Sequence, residues 1–323
     1  MELFCFLPIH ACIYMHIWSK EKKHLDNSCL KYYNYFYGVI NMRNLADPKV
    51  VQSILKENSF NFSKSLGQNF LIDDSVLDTI VESSGICGCN VLEVGPGFGT
   101  LTQRLCKSAK KVVSVEIDSS AIPILQKNLE EYDNIKIIHG DIMKTDIKAL
   151  SDSEFGGERI KVCANLPYYI TSPVIMDLLN PKLPIDDITV MIQKEVAERI
   201  NAKPGTKDYG VLTLTVGYYA TCEICLIVPP TCFMPPPKVS SAVIKLSIRK
   251  EPPVKVKNAE TYFKVIKDAF SLRRKTLLNA LSSSNPDKSK EEISLILENA
   301  GIDPKRRGET LCDEEFARIA NLF

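Results

Sequence analysis

The sequence predicts an α/β protein built on a parallel, doubly wound sheet and followed by a small, all-helical C-terminal part. Three observations point there. From Asn90 onward, short β-branched runs alternate with longer segments of helical character, the pattern of strands joined by crossover helices. A glycine-rich turn, Gly95-Pro-Gly-Phe-Gly-Thr100, joins the first run to the first helix. Beyond a charged stretch with two prolines, Arg249-Lys-Glu-Pro-Pro-Val-Lys-Val-Lys257, apolar residues recur at helical spacing.

Composition bounds these expectations. A chain of 323 residues that is 45% apolar can bury one large α/β core with a smaller appendage. Its 40 basic and 39 acidic side chains leave a net charge of +1, so any nucleic-acid surface has to come from local clustering. The 11 cysteines are scattered and odd in number, several inside apolar runs, which indicates a reducing, cytosolic setting. Two close pairs, Cys87 with Cys89 and Cys222 with Cys225, invite a metal reading. Residues 218–228 read as a strand, however, and thiols three apart on a strand point to opposite faces. With His139 the only imidazole in the main body, no metal site is expected.

Residues 1–41 differ from the rest. An apolar stretch from Leu3 to Trp18 precedes a lysine-rich patch and the aromatic run Tyr32-Tyr-Asn-Tyr-Phe-Tyr37. That stretch is shorter than the ~20 residues of a spanning helix, holds His10 and His16, and follows Glu2 instead of a basic segment. No arginine precedes Arg43, which argues against a mitochondrial presequence. We expect residues 1–41 to be a non-native or disordered upstream extension from a misassigned start codon, with the protein proper beginning at Met42. A membrane anchor is the alternative.

The first strand, Val91-Leu-Glu-Val94, runs into the glycine turn and then the helix-like Leu101-Thr-Gln-Arg-Leu-Cys106. Glycines there permit positive φ and let a ligand reach the backbone at a helix N-terminus. Gly-x-Gly alone is weak evidence, and the absence of a following Gly-Lys-Ser/Thr argues against a Walker-type phosphate loop. The second strand, Val112-Val-Ser-Val115, ends in Glu116, placed to accept hydrogen bonds from ribose hydroxyls, as in both dinucleotide and S-adenosylmethionine pockets. A third run, Ile135-Lys-Ile-Ile-His139, leads to Gly140-Asp141; the carboxylate could receive an adenine amino group or simply cap a turn. Together the strand-end residues point to a cofactor containing adenosine.

The deciding segment follows the fourth strand: Val162-Cys-Ala-Asn-Leu-Pro-Tyr-Tyr-Ile170. The exocyclic nitrogen of adenine is a poor nucleophile because its lone pair is conjugated into the ring. If the Asn165 side-chain oxygen and a backbone carbonyl near Leu166 accept its N–H bonds, the nitrogen is oriented and made more electron-rich. Pro167, with its fixed φ, holds the turn, and Tyr168 offers a face on which an extruded base can stack.

Several segments, in order, resemble the motifs of one family: Lys64-Ser-Leu-Gly-Gln-Asn-Phe-Leu-Ile-Asp73, Glu93-Val-Gly-Pro-Gly97, Asn165-Leu-Pro-Tyr168, Gln193-Lys-Glu-Val-Ala-Glu-Arg199 and Phe233-Met-Pro-Pro-Pro-Lys-Val-Ser-Ser241. The chain is thereby similar, over nearly all of residues 43–323, to the ribosomal RNA adenine dimethyltransferase family, and in particular to its bacterial small-subunit (16S) branch. The resemblance implies a Rossmann-like S-adenosylmethionine-dependent methyltransferase sheet over 42–250 and a helical RNA-binding domain over 251–323. It implies that Asn69 and Leu71 contact the cofactor from the N-terminal segment, that Gly95 meets its amino-acid portion, Glu116 its ribose and Asp141 its adenine, and that Gly97, Ile117 and Ile142 share that site. Asn165 would sit between cofactor and target, completing a catalytic set with Leu166, Pro167, Tyr168 and Phe233. Phe233 would be a second wall for the target base; a core-filling role is the other reading. No general base is implied, because the methylated ammonium is acidic enough to lose its proton to water.

Tyr262 to Leu281 reads as one helix with a single irregular step, carrying Phe263, Ile266, Phe270, Leu277 and Leu281 on its apolar side. Lys264, Lys267, Arg273, Arg274 and Lys275 stand there against Asp268. Such a surface tracks phosphates or is merely a solvated helix face; the likeness of Phe270-Ser-Leu-Arg-Arg-Lys-Thr-Leu277 and Arg307-Gly-Glu-Thr-Leu311 to the family's C-terminal domain favours RNA. The activity implied is dimethylation of N6 on two adjacent adenosines in the 3′-terminal hairpin loop of small-subunit rRNA, by a cytoplasmic monomer acting on an immature 30S particle, with no membrane partner. Alternatives are the large-subunit dimethylase that confers macrolide resistance, a non-catalytic ribosome-assembly or transcription factor, and a nicotinamide dehydrogenase, which would leave Asn165 to Tyr168 without a role.

Overall fold

Strand β2 (Asn90–Val94) is buried at every position, as expected of a strand covered on both faces, and the rest of the fold is arranged around it. The computed structural model describes residues 43–58 and 67–323. The expectations for residues 1–41, and the part of the first motif formed by Lys64, Ser65 and Leu66, lie outside the described residues.

Two helices flank a very short strand ahead of β2. Helix α1 (Pro48–Glu57) starts behind Asp47, whose carboxylate accepts the Lys49 N–H at 2.8 Å. Strand β1 (Phe70–Leu71) follows, then α2 (Asp74–Ser84), capped by Asp73 and ending on Gly85 at φ 57°. After β2 come α3 (Thr100–Ser108), β3 (Lys111–Glu116), α4 (Ile122–Asn128), β4 (Ile135–His139), α5 (Ile147–Phe155), β5 (Ile160–Asn165), α6 (Thr171–Leu178) and β6 (Ile185–Gln193). Helices α7 (Lys194–Ile200) and α8 (Val211–Tyr219) precede β7 (Ala220–Val228), β8 (Phe233–Met234) and β9 (Ser241–Ile248). The C-terminal part contains α9 (Ala259–Ser271), α10 (Leu277–Ser284), α11 (Lys290–Asn299) and α12 (Asp313–Ala320).

The main sheet runs β4-β3-β2-β5-β6-β9-β7. Its first five strands are parallel, as expected, while β9 and β7 add an antiparallel edge. No crossover helix separates β7 from β9, so they pair as antiparallel neighbours. Chain order reverses between β2 and β5, which makes the gap beyond their C-terminal ends the place where a ligand fits such a sheet. Alternation along the strands sends Val94, Val115 and Val162 into one core cluster and Val91, Val112 and Cys163 into another.

Three local expectations change. The strand expected from Tyr218 begins at Ala220, because Tyr218 and Tyr219 end α8 and pack on Tyr262 and Phe263 of α9 with ring centroids 5.3 and 5.6 Å apart. The helix expected across 262–281 is broken into α9 and α10. Thr276 caps α10 through the Asn279 N–H, and Asn285 reaches back from its end to Asp268 at 3.0 Å, so the two helices form a hairpin. Third, β7 carries a bulge between Ile224 and Leu226. Cys222 still packs on one core cluster and Cys225 on the other, and among the described residues no group of His, Cys, Asp or Glu is assembled to hold a metal.

The C-terminal helices have a core of their own, with Tyr262, Ile266, Leu281, Leu297 and Phe316 fully buried. Tyr209, Leu214 and Tyr218 belong to that same core, which fastens it to α8.

A candidate cofactor and target-base cleft

The C-terminal ends of β2, β3, β4 and β5 open into one cleft. All thirteen residues expected at the site line it: Asn69, Leu71, Gly95, Gly97, Glu116, Ile117, Asp141, Ile142, Asn165, Leu166, Pro167, Tyr168 and Phe233. The roof comes from the segment around β1, whose Leu71 pairs with Phe233 of β8. Gln68 holds the start of this segment by donating to the Asp118 carboxylate at 2.7 Å.

The glycine turn supplies a cradle that side chains would fill. Gly95 and Gly97 sit at φ 66° and 59°, the left-handed region that costs other residues energy. A Cβ on Gly97 would lie 2.7 Å from the Phe70 ring. Beside the cradle, Glu116 is 5% exposed, and its two carboxylate oxygens accept the N–H groups of Gly97 at 3.0 Å and Asp118 at 2.8 Å. Each oxygen keeps a lone pair for a ribose hydroxyl. Asp141 caps the turn Ile142–Lys144 by accepting the Met143 N–H at 3.0 Å, so it is both the turn cap and a cleft carboxylate. A bare backbone, a fixed carboxylate pair and apolar Ile117 and Ile142 fit an adenosine carrying an amino-acid tail.

At the end of β5 the reactive corner is locked. The Leu166 N–H donates to the Met191 carbonyl at 3.1 Å. The Pro167 carbonyl accepts from the Ile170 N–H and the Thr171 hydroxyl, each at 3.2 Å. The Asn165 amide donates through Nδ2 to the Asn69 carbonyl at 3.3 Å, which orients Oδ1 as an acceptor. Neither Asn165 Oδ1 nor the Leu166 carbonyl has a hydrogen-bond partner among the described residues. Tyr168 is tied by its hydroxyl to buried Ser241 of β9 at 2.7 Å, and burial holds that phenol above its usual range. Phe233 is 3% exposed and belongs to a core cluster, so it fills the core and lines the cleft at once.

Further residues line the cleft without a role assigned from sequence, Glu93, Met143 and Tyr169 among them. Glu93, 1% exposed within β2, accepts the Ser114 hydroxyl at 2.6 Å; Met143 and Tyr169 stand at the mouth. Burial pushes Glu93 up to about 7 from the usual 4.5. A carboxyl that binds its proton more tightly when folded adds stability below pH 4.5 that is lost as pH rises through 7. Urea unfolding of the protein is expected to show a decline on the order of 3 kcal/mol across that window, and Glu93→Gln should flatten it. A parent curve that is level from pH 5 to 8 would show that Glu93 titrates normally.

Fold and cleft together are those of a methyltransferase-type α/β protein, with two carboxylates and two acceptors without partners among the described residues at one rim. The model of the family described as ribosomal RNA adenine dimethylase matches residues 59–322. The chain is 51% identical over 286 residues to the ribosomal RNA small subunit methyltransferase A of Geobacillus thermodenitrificans (strain NG80-2), covering 87% of this chain and 97% of that protein. Among solved structures it resembles a dimethyladenosine transferase from Plasmodium falciparum, with a TM-score of 0.65 and 28% identity over 77% of this chain and 95% of that one. It also resembles the 23S rRNA methyltransferase ErmE, with a TM-score of 0.61 and 26% identity over 79% of this chain and 99% of that one. The chain belongs to the ribosomal RNA adenine dimethylase family. Its methyl donor is S-adenosylmethionine, and among the described residues no helix is long and apolar enough to cross a membrane.

Proposed function

We propose that the protein dimethylates N6 of two adjacent adenosines in the 3′-terminal hairpin loop of small-subunit rRNA, acting as a cytoplasmic monomer on an immature 30S particle. One observation carries the chemistry: two acceptors, Asn165 Oδ1 and the Leu166 carbonyl, meet at the cleft without partners among the described residues. An adenine amino group has two N–H bonds to give them. Accepting both turns the nitrogen lone pair out of conjugation and toward the cofactor, while Tyr168 and Phe233 hold the extruded base. The cofactor supplies an electrophilic methyl group on a sulfonium. Gly95, Gly97, Asn69 and Leu71 bind its amino-acid end in this reading, and Glu116, Ile117, Asp141 and Ile142 its nucleoside. The substituted nitrogen then releases its proton to water, so no side chain acts as a base. The 51% identity to a small-subunit enzyme, against 26% to ErmE, favours the small-subunit substrate.

The helical domain, 251–323, is proposed as the RNA-facing part, with fewer of its cations than the charge pattern suggests. Lys264 is neutralised by Asp268 at 2.7 Å. Arg273 bonds Glu309 at 3.0 Å and the carbonyls of Thr206 and Lys207, which makes it a strut for the loop between α7 and α8. Arg274, Lys275 and Arg307, with Lys203 and Lys207 of that loop, are exposed and have no ion pair among the described residues. Replacing Arg274 and Lys275 together with alanine is expected to weaken small-subunit binding and lower its salt slope by about two, one per lost phosphate contact, with cofactor affinity unchanged. An unaltered slope would remove these residues from the interface.

The activity is tested with labelled S-adenosylmethionine offered immature small subunits, large subunits and naked RNA. Label is expected in the small subunits. Transfer confined to large subunits would overturn the substrate, and no transfer at all would overturn the enzyme reading.

A further inference from the structure

Nine large apolar side chains are exposed among the described residues, and three of them, Ile117, Met143 and Tyr169, line the mouth of the same cleft. One exposed apolar residue needs no explanation, whereas a group gathered at one opening marks a surface that something covers. Tyr169 is the largest of the three and 53% exposed.

The two adjacent tyrosines go separate ways. The Tyr168 hydroxyl is bound to Ser241, on the side of the sheet's antiparallel edge. The Tyr169 ring instead runs toward the roof, 3.8 Å from where a Cβ on Gly67 would stand. Its hydroxyl lies in the field of the Asp141 and Glu116 carboxylates, which, after burial, hold it above the usual phenol range. The ring therefore stands beside the roof segment, within the field of the carboxylate that ends β3 and the one that follows β4.

We infer that Tyr169 is a cofactor-binding residue whose ring covers the nucleoside of S-adenosylmethionine, closing an apolar collar with Ile117 and Met143. The inference rests on the proposed cofactor site. Covering removes the exposed ring face from water together with a face of the ligand, so the effect is on cofactor affinity and not on the target base.

Calorimetric titration of the full chain with S-adenosylhomocysteine tests this without any methyl transfer. Tyr169→Ala is expected to raise Kd about tenfold, the effect of losing a ring-sized apolar contact. Tyr169→Phe, which keeps the ring, should restore most of the affinity. A Kd for Tyr169→Ala within about twofold of the parent would overturn the inference, as would a loss in Tyr169→Phe equal to that in Tyr169→Ala. If Tyr169→Ala instead left Kd alone and raised KM for small subunits, the ring would belong to the RNA side and the inference would fall while the proposed function stood. Glu116→Ala serves as the control for the site: unchanged binding in that variant would overturn the cofactor reading itself.

Discussion

Asn165→Ala is expected to slow methyl transfer at least a hundredfold, the scale of removing one well-placed hydrogen-bond partner of the reacting atoms, while leaving Kd for S-adenosylhomocysteine nearly unchanged. Asn165 gives one of its two Nδ2 hydrogens to the Asn69 carbonyl at 3.3 Å, which fixes the amide with Oδ1 turned away from that carbonyl as a free acceptor. Alanine removes that acceptor, and the amino nitrogen then keeps its lone pair in the ring. The long hydrogen bond to Asn69 is a weak tie, and the roof has independent anchors in the β1–β8 pairing and Gln68. Cofactor binding should therefore survive. Single-turnover rates separate the two effects, and a variant with the parent's rate would refute the role assigned to Asn165.

A large loss of stability is expected at Gly97. An alanine there meets two penalties: the left-handed φ of 59° costs ~1–2 kcal/mol for a residue with a Cβ. The collision with Phe70 costs a further ~1–3 kcal/mol. Phe70 has little room to yield, since it is 6% exposed and stacked on Phe98 with centroids 4.2 Å apart. Gly88 is the control, because its φ of 68° is equally left-handed but nothing lies within 4 Å of an added Cβ. Denaturant unfolding should show Gly97→Ala losing clearly more than Gly88→Ala. Equal losses would mean that the glycine turn tolerates bulk and is not a tightly packed cradle.

Much of this site is legible in the sequence, for reasons that lie in local chemistry. Strand β2 shows itself through Val91, Leu92 and Val94, the apolar side chains that burial on both faces demands, although buried Glu93 interrupts them. Gly95, Gly97, Glu116, Asp141 and Asn165 all sit at ends of neighbouring parallel strands, where sequence spacing translates directly into a shared rim. What stayed hidden depends on partners far along the chain. Ser241 meets Tyr168 across 73 residues and Arg273 meets Glu309 across 36, so neither the anchor of the stacking face nor the strut among the cations could be read locally. The break after α9 is hidden in the sequence because apolar spacing continues through it, while Thr276 and Asn285 redirect the backbone. Tyr218 and Tyr219 look like strand residues by type, yet the aromatic packing against α9 holds them in a helix. Tyr169 adjoins the tetrapeptide Asn165 to Tyr168, yet nothing in sequence tells which way a side chain beside a turn will point.

The central claim is that the cleft activates an amino nitrogen, held by Asn165 Oδ1 and the Leu166 carbonyl. The most direct test identifies the methylated atom: small-subunit rRNA treated with the protein is digested to nucleosides and resolved by chromatography and mass spectrometry. N6,N6-dimethyladenosine is the product predicted. Label recovered instead on a ribose hydroxyl, or on a ring carbon or ring nitrogen of any base, would contradict the claim, because none of those atoms carries the pair of N–H bonds that the two acceptors are arranged to take.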